Sequence, residues 1–153
     1  MPFERDFDGW DLLAAPSSAQ PIPRDYQVVV VGGRQLAIPS DSIGELTQSL
    51  SPTFVPGVDP AIIGVLMWDG QVCVVVSTHR LLGLARPDNS GLLVEVAVAT
   101  ENFFIEIDEM TDVVVSGVPD HMIDRTPLVA GYLDTVGGRL AVLDLDAMIR
   151  FSD

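Results

Sequence analysis

The two histidines are the first residues to consider for chemistry, because an imidazole exchanges protons near neutral pH. His121 lies close to Asp120 and Asp124 in the sequence, one position from the first and three from the second. Such a group can bind a metal ion or act as a general acid and base. The segment is predicted to be a polar loop, and nothing in the sequence arranges a nucleophile and oxyanion donors beside it. An enzyme or small-ligand domain built on His121 is therefore an alternative hypothesis and not the leading one.

The second histidine and the single cysteine offer less chemistry. His79 follows Ser77 and Thr78, but the glycine pattern of a nucleophile elbow is missing, so His79 is predicted to be a surface residue at a helix start. Cys73 is flanked by valines in a predicted buried strand, where a cysteine behaves as a small apolar side chain. A single cysteine forms no intrachain disulfide, which fits a reducing compartment. Because the chain has one cysteine and two histidines, it offers few of the side chains that bind zinc.

Acidic residues cluster at two places, and both clusters have structural explanations. Asp144 and Asp146 adjoin an apolar helical segment, where carboxylates cap the helix and complement its dipole. The other cluster lacks the D-x-[DN]-x-[DN]-G spacing of a calcium loop, so we predict a solvated edge. Its members are Glu106, Asp108, Glu109 and Asp112.

Tight hairpins organise the chain around these residues. The glycine pairs 32–33 and 137–138 each lie between two β-rich runs, and glycine takes the positive φ angles of hairpin turns at low cost. Each pair is followed by an arginine and then by a Leu-Ala dipeptide, and a looser third copy turns at Asp69 and Gly70. The glycine pairs lack the spacing of nucleotide-binding loops, so they are predicted to be turns and not phosphate sites.

Residues 26–153 are predicted to form one all-β domain. Roughly ten short runs rich in β-branched and aromatic residues alternate with turn residues, and helical segments are few. This pattern favours barrels or a sandwich, and the hairpin repeated at both ends favours two similar small barrels. Residues 1–25 mix acids, prolines and serines without a sustained period, so they are predicted to be a tail and linker.

Charge and hydropathy limit the class of partner. Asp and Glu number 22 against 8 basic residues, all of them arginine, which gives a formal net charge of -14 and repulsion from nucleic-acid phosphates. No apolar stretch approaches the ~18 residues that span a bilayer, and the first residues lack the pattern of a signal peptide. We therefore predict a cytoplasmic protein. A mean hydropathy of +0.35 in so acidic a chain indicates apolar surface used for partners, which favours a binding module over an enzyme.

An ordered series of segments between residue 26 and the end resembles the CheW-like family, the coupling proteins that link bacterial chemoreceptors to a histidine autokinase. Residues 43–46, Ile-Gly-Glu-Leu, are similar to the family's V-x-E-I segment. Residues 63–70 are similar to its G-V-x-N-L-R-G signature. Residues 129–132 and 140–146 resemble the closing G-x and L-D-x-x-x-L pattern.

The resemblance implies an all-β fold of two five-stranded SH3-like β-barrel subdomains around a shared core, with no enzymatic activity and no cofactor. Family members bind receptor tips in a groove between the barrels and kinase regulatory domains through the outer faces of the barrels. Carried over by position, the segment at 43–46 lines the receptor groove and the turn at 69–70 lies beside it. The predicted partner-binding residues are Ile43, Glu45, Leu46, Met67, Trp68, Asp69 and Gly70.

The chain departs from the family at the signature. Where the family shows Asn-Leu-Arg-Gly, residues 67–70 read Met-Trp-Asp-Gly. Asp69 in place of arginine reverses a charge and removes a group that donates several hydrogen bonds. Trp68 is either an exposed interface anchor or a filler of the barrel interior, and the strand register decides between the two.

Besides the enzyme hypothesis built on His121, two hypotheses about function follow from these observations. The leading one is a non-enzymatic scaffold that couples a chemoreceptor signalling tip of the methyl-accepting type to a histidine kinase regulatory domain, in chemotaxis or another motility pathway. It binds no nucleic acid and does not insert into a membrane. The alternative is an acidic decoy or inhibitor domain that kept the fold and binds an unrelated basic protein.

Overall fold

A computed structural model of the 153-residue chain describes residues 22–48, 50–86, 91–99, 101–120 and 128–150. The described residues form ten strands, two short helices and one 3-10 turn. Residues 1–21 of the predicted tail and linker, 1–25, lie outside them, and so do residues 121–127, which include His121. In chain order the elements are β1 (Arg24–Val31), β2 (Arg34–Pro39), the 3-10 turn (Ser40–Ser42), β3 (Ile43–Thr47), β4 (Ile62–Trp68), β5 (Gln71–Ser77), α1 (Thr78–Leu81), β6 (Leu92–Val98), β7 (Glu101–Ile107), β8 (Glu109–Gly117), β9 (Val129–Thr135), β10 (Gly138–Leu143) and α2 (Leu145–Arg150).

The strands form two five-stranded sheets. Sheet one has the order β9-β10-β2-β1-β8, and sheet two has the order β3-β6-β7-β5-β4. Neighbours are antiparallel, except for the parallel pairs β10–β2 and β7–β5. Sheet one curls, since Asp120, just beyond the edge strand β8, bridges Tyr132 on the opposite edge strand β9. The prediction of two SH3-like, five-stranded subdomains with few short helices is confirmed, although neither ladder closes into a full barrel.

Two of the three predicted hairpin turns form at the predicted residues. Gly32 and Gly33 have φ angles of 59° and 80°, and Asp69 and Gly70 have φ angles of 52° and 78°. A two-residue turn with both φ angles positive matches the twist of the flanking strands. Asp69 also adopts a positive φ angle, although it is not a glycine. Aspartate tolerates this conformation better than most residues because its short side chain forms local hydrogen bonds.

The third turn differs by one residue from the prediction. Thr135 pairs with Gly138 across β9 and β10, so the turn consists of Val136 and Gly137 and not of the glycine pair. Gly138 then begins β10 with a φ of 122°, a conformation that a side chain would oppose.

Three apolar clusters explain the valine-rich composition. The central cluster lies between the sheets and takes Val29 and Val31 from sheet one and Val94 and Val96 from sheet two. A second cluster lies inside the curl of sheet one, and a third lies inside the curl of sheet two. Because most inner strands are covered on both faces, they read as continuous apolar runs and not as alternating ones.

Side-chain caps set the helix starts. Asp144 Oδ1 accepts a hydrogen bond from the Ala147 backbone N–H at 3.1 Å, so the predicted cap at the start of α2 is confirmed. Ser77 Oγ likewise accepts from the Arg80 backbone N–H at 3.2 Å at the start of α1. Among the described residues, no helix has the length and apolar character needed to cross a membrane.

Candidate partner-binding site

Three of the predicted partner-binding residues line one shallow hollow of about 400 Å³, formed by Glu45, Trp68, Asp69 and Glu95. We call it the acidic hollow. Glu45 belongs to the edge strand β3, whereas Trp68 and Asp69 lie at the end of the opposite edge strand, β4. The hollow therefore brings together the two edges of sheet two, which are remote in the sheet order.

A bulge in β3 fixes the position of Glu45. The pairing of β3 with β6 shifts register between Ile43 and Leu46. The Glu45 backbone N–H donates to Glu95 Oε1 at 3.2 Å, and Asn102 Nδ2 donates to Glu95 Oε2 at 3.1 Å. A Cβ atom at Gly44 would lie 2.6 Å from Glu95 Oε1, so glycine lets the carboxylate approach the bulge.

The register of the β4–β5 hairpin settles the orientation of Trp68. Its ring packs edge-to-face on Phe104, with centroids 5.4 Å apart and planes at 80°. Trp68 is half-buried and packs against the cluster inside sheet two, while its exposed part lines the acidic hollow. Met67 and its cross-strand partner Val72 face outward, and each is 66% exposed. The exposed apolar pair of this hairpin is thus Met67 with Val72.

The remaining predicted residues lie around the hollow. Ile43 is half-buried and packs against the central cluster. Leu46 is 43% exposed on β3, and Gly70 completes the turn with Asp69. Glu95 was missed by the sequence analysis, although a single carboxylate inside the apolar run of β6 was a signal for it.

A separate cleft of about 480 Å³ opens between the two sheets. Arg24 and Tyr26 line it from sheet one, the 98–99 turn lines it from sheet two, and Asp144 lines it at the start of α2. The 3-10 turn contributes Ser42, but Ile43, Glu45 and Leu46 are not among its described lining residues. The predicted assignment of these three side chains to a groove between the barrels therefore stays a prediction.

The prediction that His79 lies on the surface is wrong. His79 is 1% exposed, and its Nε2 atom lies 2.9 Å from Asp108 Oδ1. Asp108 Oδ2 accepts from the Gly32 backbone N–H at 2.7 Å, and the Asp108 N–H donates to the Val30 carbonyl at 2.9 Å. Asp108 lies between β7 of sheet two and β8 of sheet one. We call this group the Asp108 joint, because it connects the two sheets.

The prediction of a solvated edge at residues 106–112 is wrong for Glu106. Glu106 is 1% exposed and receives two hydrogen bonds from Arg86, from Nε at 2.7 Å and from Nη2 at 2.8 Å. This bond to Glu106 raises the pKa of the Arg86 guanidinium above its ordinary value, against the opposing effect of burial. The two residues are therefore an ion pair that anchors the segment after α1 and not a site for a ligand.

The other candidates for chemistry are structural or lie outside the described residues. Cys73 is buried, as predicted, and burial raises the pKa of its thiol, with a smaller contribution from the charge of Glu95. His121 and Asp124 fall in the stretch that the structure does not describe. In the described part of the chain, no three or more His, Cys, Asp or Glu side chains come together in a way that could hold a metal ion.

Comparison with known proteins agrees with this architecture. A family model described as CheW-like domain matches residues 25–152. Among solved structures, the chain is similar to the scaffolding protein TtCheW from Thermoanaerobacter tengcongensis, with a TM-score of 0.69 and 14% sequence identity. That similarity covers 80% of this chain and 90% of the other chain. No curated protein matches the chain.

Proposed function

The chain belongs to the CheW-like domain family, and from this premise we propose that it is a non-enzymatic cytoplasmic scaffold that couples a chemoreceptor signalling tip to a histidine kinase regulatory domain. The solved structure that it resembles is that of a scaffolding protein. The proposed partners are proteins, because a net charge of -14 opposes contact with nucleic acid.

The observation that carries the proposal is the convergence of Glu45, Trp68 and Asp69 on the acidic hollow. The family resemblance assigns partner contacts to these positions, and they lie at opposite edges of sheet two. Outside the hollow, Met67 and Val72 add two large exposed apolar side chains to the same hairpin. Apolar side chains beside a polar rim are the usual composition of a protein interface.

Asp69 changes the chemistry that the proposed interface offers. Two other carboxylates, those of Glu45 and Glu95, line the hollow with it, and no basic side chain does so among the described lining residues. A partner that meets this surface must therefore present cations, and arginine is the best match because its fork pairs with carboxylates. We propose that the receptor or kinase partner of this chain carries a basic group at the matching position.

Binding of the purified full chain to a receptor signalling tip and to a kinase regulatory domain from the same cell tests the proposal. Met67→Ser and Asp69→Arg change the proposed surface at exposed positions. Circular dichroism and a thermal melt of each variant accompany the titration, because Asp69 has a φ angle of 52°, which arginine adopts less readily than aspartate. Val136→Ser is the matched control, because Val136 is fully exposed on the β9–β10 turn of the other sheet.

We expect saturable binding to at least one of the two proteins, weakened roughly tenfold by Met67→Ser and by Asp69→Arg, with no change for Val136→Ser. Absence of binding to both proteins would overturn the scaffold proposal. Equal loss in all three variants would show that the acidic hollow and its hairpin are not the contact surface.

The carboxylates of the acidic hollow also support the second candidate, an acidic decoy or inhibitor domain that binds an unrelated basic protein. This candidate predicts no affinity for the receptor tip or the kinase domain. It also predicts that binding to the basic partner falls steeply between about 0.05 and 0.5 M salt, because charge attraction is screened over that range. In the same binding measurements, Asp69→Arg would weaken contact with the basic partner.

A further inference from the structure

The two Gly-Gly-Arg copies in the sequence come together in sheet one. Strand β10 pairs in parallel with β2, with Ala141 opposite Leu36 and Val142 opposite Ala37. Each pair is 105 positions apart in the sequence, since 141 - 36 = 105 and 142 - 37 = 105. The same offset places Arg139 opposite Arg34, at the start of both strands. Neighbouring strands lie about 4.8 Å apart, so the backbones of the two arginines lie close together.

These arginines lie in a groove of about 950 Å³ between the hairpin ends of sheet one and the residues that follow β5 of sheet two. We call it the arginine groove. Its apolar lining includes the half-buried Leu81, Leu82 and Val129. Its described lining residues include two arginines and no carboxylate. The acidic hollow has the opposite sign, with three carboxylates.

The two arginines differ in their partners. Arg139 lies 3.1 Å from Asp134 and 3.3 Å from Asp120, and its guanidinium lies 5.1 Å from the centre of the Tyr132 ring. Arg34 is exposed and forms no ion pair with a described residue. The charge of Arg139 is therefore compensated within the domain, whereas that of Arg34 is open to a carboxylate from outside.

We propose that the arginine groove binds an acidic amphipathic segment of a partner protein, with a carboxylate on Arg34 and apolar side chains against Leu81 and Leu82. A guanidinium pairs with a carboxylate through two parallel hydrogen bonds, and adjacent leucines give the segment an apolar face to cover. The overall charge of -14 repels an acidic segment from the rest of the surface. Such a segment should therefore bind at the arginine groove and not elsewhere on the chain.

The arginine groove shares no described lining residue with the acidic hollow or with the cleft between the sheets. It lies at the Gly32-Gly33 end of the β1–β2 hairpin, whereas the cleft between the sheets lies at the other end, beside Arg24 and Pro39. The inference therefore does not rest on the proposed scaffold function, and either one can fail without the other.

The test is a binding titration of the full chain at about 0.15 M salt with a synthetic helical peptide of about 15 residues, leucines on one face and glutamates on the other. Arg34→Glu replaces the positive charge of the exposed Arg34 by a negative one. Arg24→Glu makes the same change in net charge at the opposite end of the hairpin, on an exposed arginine, and is the matched control.

We expect binding that Arg34→Glu weakens about tenfold or more, while Arg24→Glu changes it less than about twofold. Equal effects of both variants would show attraction by net charge alone, and absence of binding would exclude a peptide groove; either result overturns the proposal. Displacement of the peptide by about 10 mM inorganic phosphate would reduce the groove to a small-anion site, which also overturns it. The chain without peptide could also form a dimer that Arg34→Glu dissociates. That result would overturn the proposal, because a second copy of the chain would then fill the arginine groove.

Discussion

At the scale of single residues, the buried carboxylate of Glu106 is held by the guanidinium of Arg86. An ionised group inside a protein is tolerated only when it is paired and hydrogen-bonded, and both oxygens of Glu106 meet Arg86. The guanidinium is partly exposed, so the pair joins a buried strand to a surface segment. Removing one partner leaves a buried charge without compensation, which costs more than the pair itself contributes.

We therefore expect Arg86→Ala to lower the free energy of unfolding by about 3 kcal/mol, measured by urea denaturation. Arg24→Ala is the control, because Arg24 pairs with Asp41 at the surface, where the loss should stay below about 1 kcal/mol. Equal losses in the two variants would show that the Arg86–Glu106 pair contributes no more to stability than a surface ion pair.

At the scale of elements, the Asp108 joint connects elements of sheet one with elements of sheet two. Its carboxylate binds His79 in α1 and the backbone N–H of Gly32 in the β1–β2 turn. Its backbone N–H binds Val30 on β1. One residue between two strands thus fixes the β1–β2 hairpin of sheet one against the helix that follows β5 of sheet two.

Asp108→Asn should lower the free energy of unfolding by about 1 to 2 kcal/mol, because an amide has one acceptor oxygen and cannot accept from both the Gly32 N–H and an N–H of the His79 ring. Hydrogen exchange should accelerate at Gly32 and around α1. Asp112→Asn is the matched control on the exposed part of β8 and should change neither quantity. Unchanged exchange at Gly32 in the Asp108 variant would contradict the joint.

At the scale of the whole molecule, the central cluster makes the two sheets one folding unit. Each sheet turns one face into its own curl and the other face toward the partner sheet. The sheets therefore share apolar surface that neither can bury alone. A transition in which one sheet unfolds while the other persists would expose that surface to water.

We expect Val29→Ala in sheet one and Val94→Ala in sheet two to lower stability by similar amounts, about 1 to 3 kcal/mol each, since both side chains are fully buried in the central cluster. Hydrogen exchange under mild denaturant should accelerate in both sheets for either variant. Exchange confined to the mutated sheet would show two independent units. Val114→Ala, at an exposed position of β8, is the control.

The features that could be predicted from the amino-acid sequence are local ones. The turns at 32–33 and 69–70, the strand content, the Asp144 cap and the burial of Cys73 all follow from residue types and short spacings. A positive φ angle or a capping carboxylate requires no distant partner. The CheW-like resemblance was likewise visible in the order of short segments, and the matching family model spans residues 25–152.

The tertiary structure decided the features that depend on distant partners. His79 and Glu106 were predicted at the surface, but their partners lie 29 and 20 positions away in the sequence. Strand register decided that Trp68 packs inward and Met67 outward, because a shift of one residue exchanges the two faces. Glu45 and Asp69 line one hollow, and Arg34 and Arg139 line one groove, because curled sheets and parallel pairing bring together residues that the sequence separates.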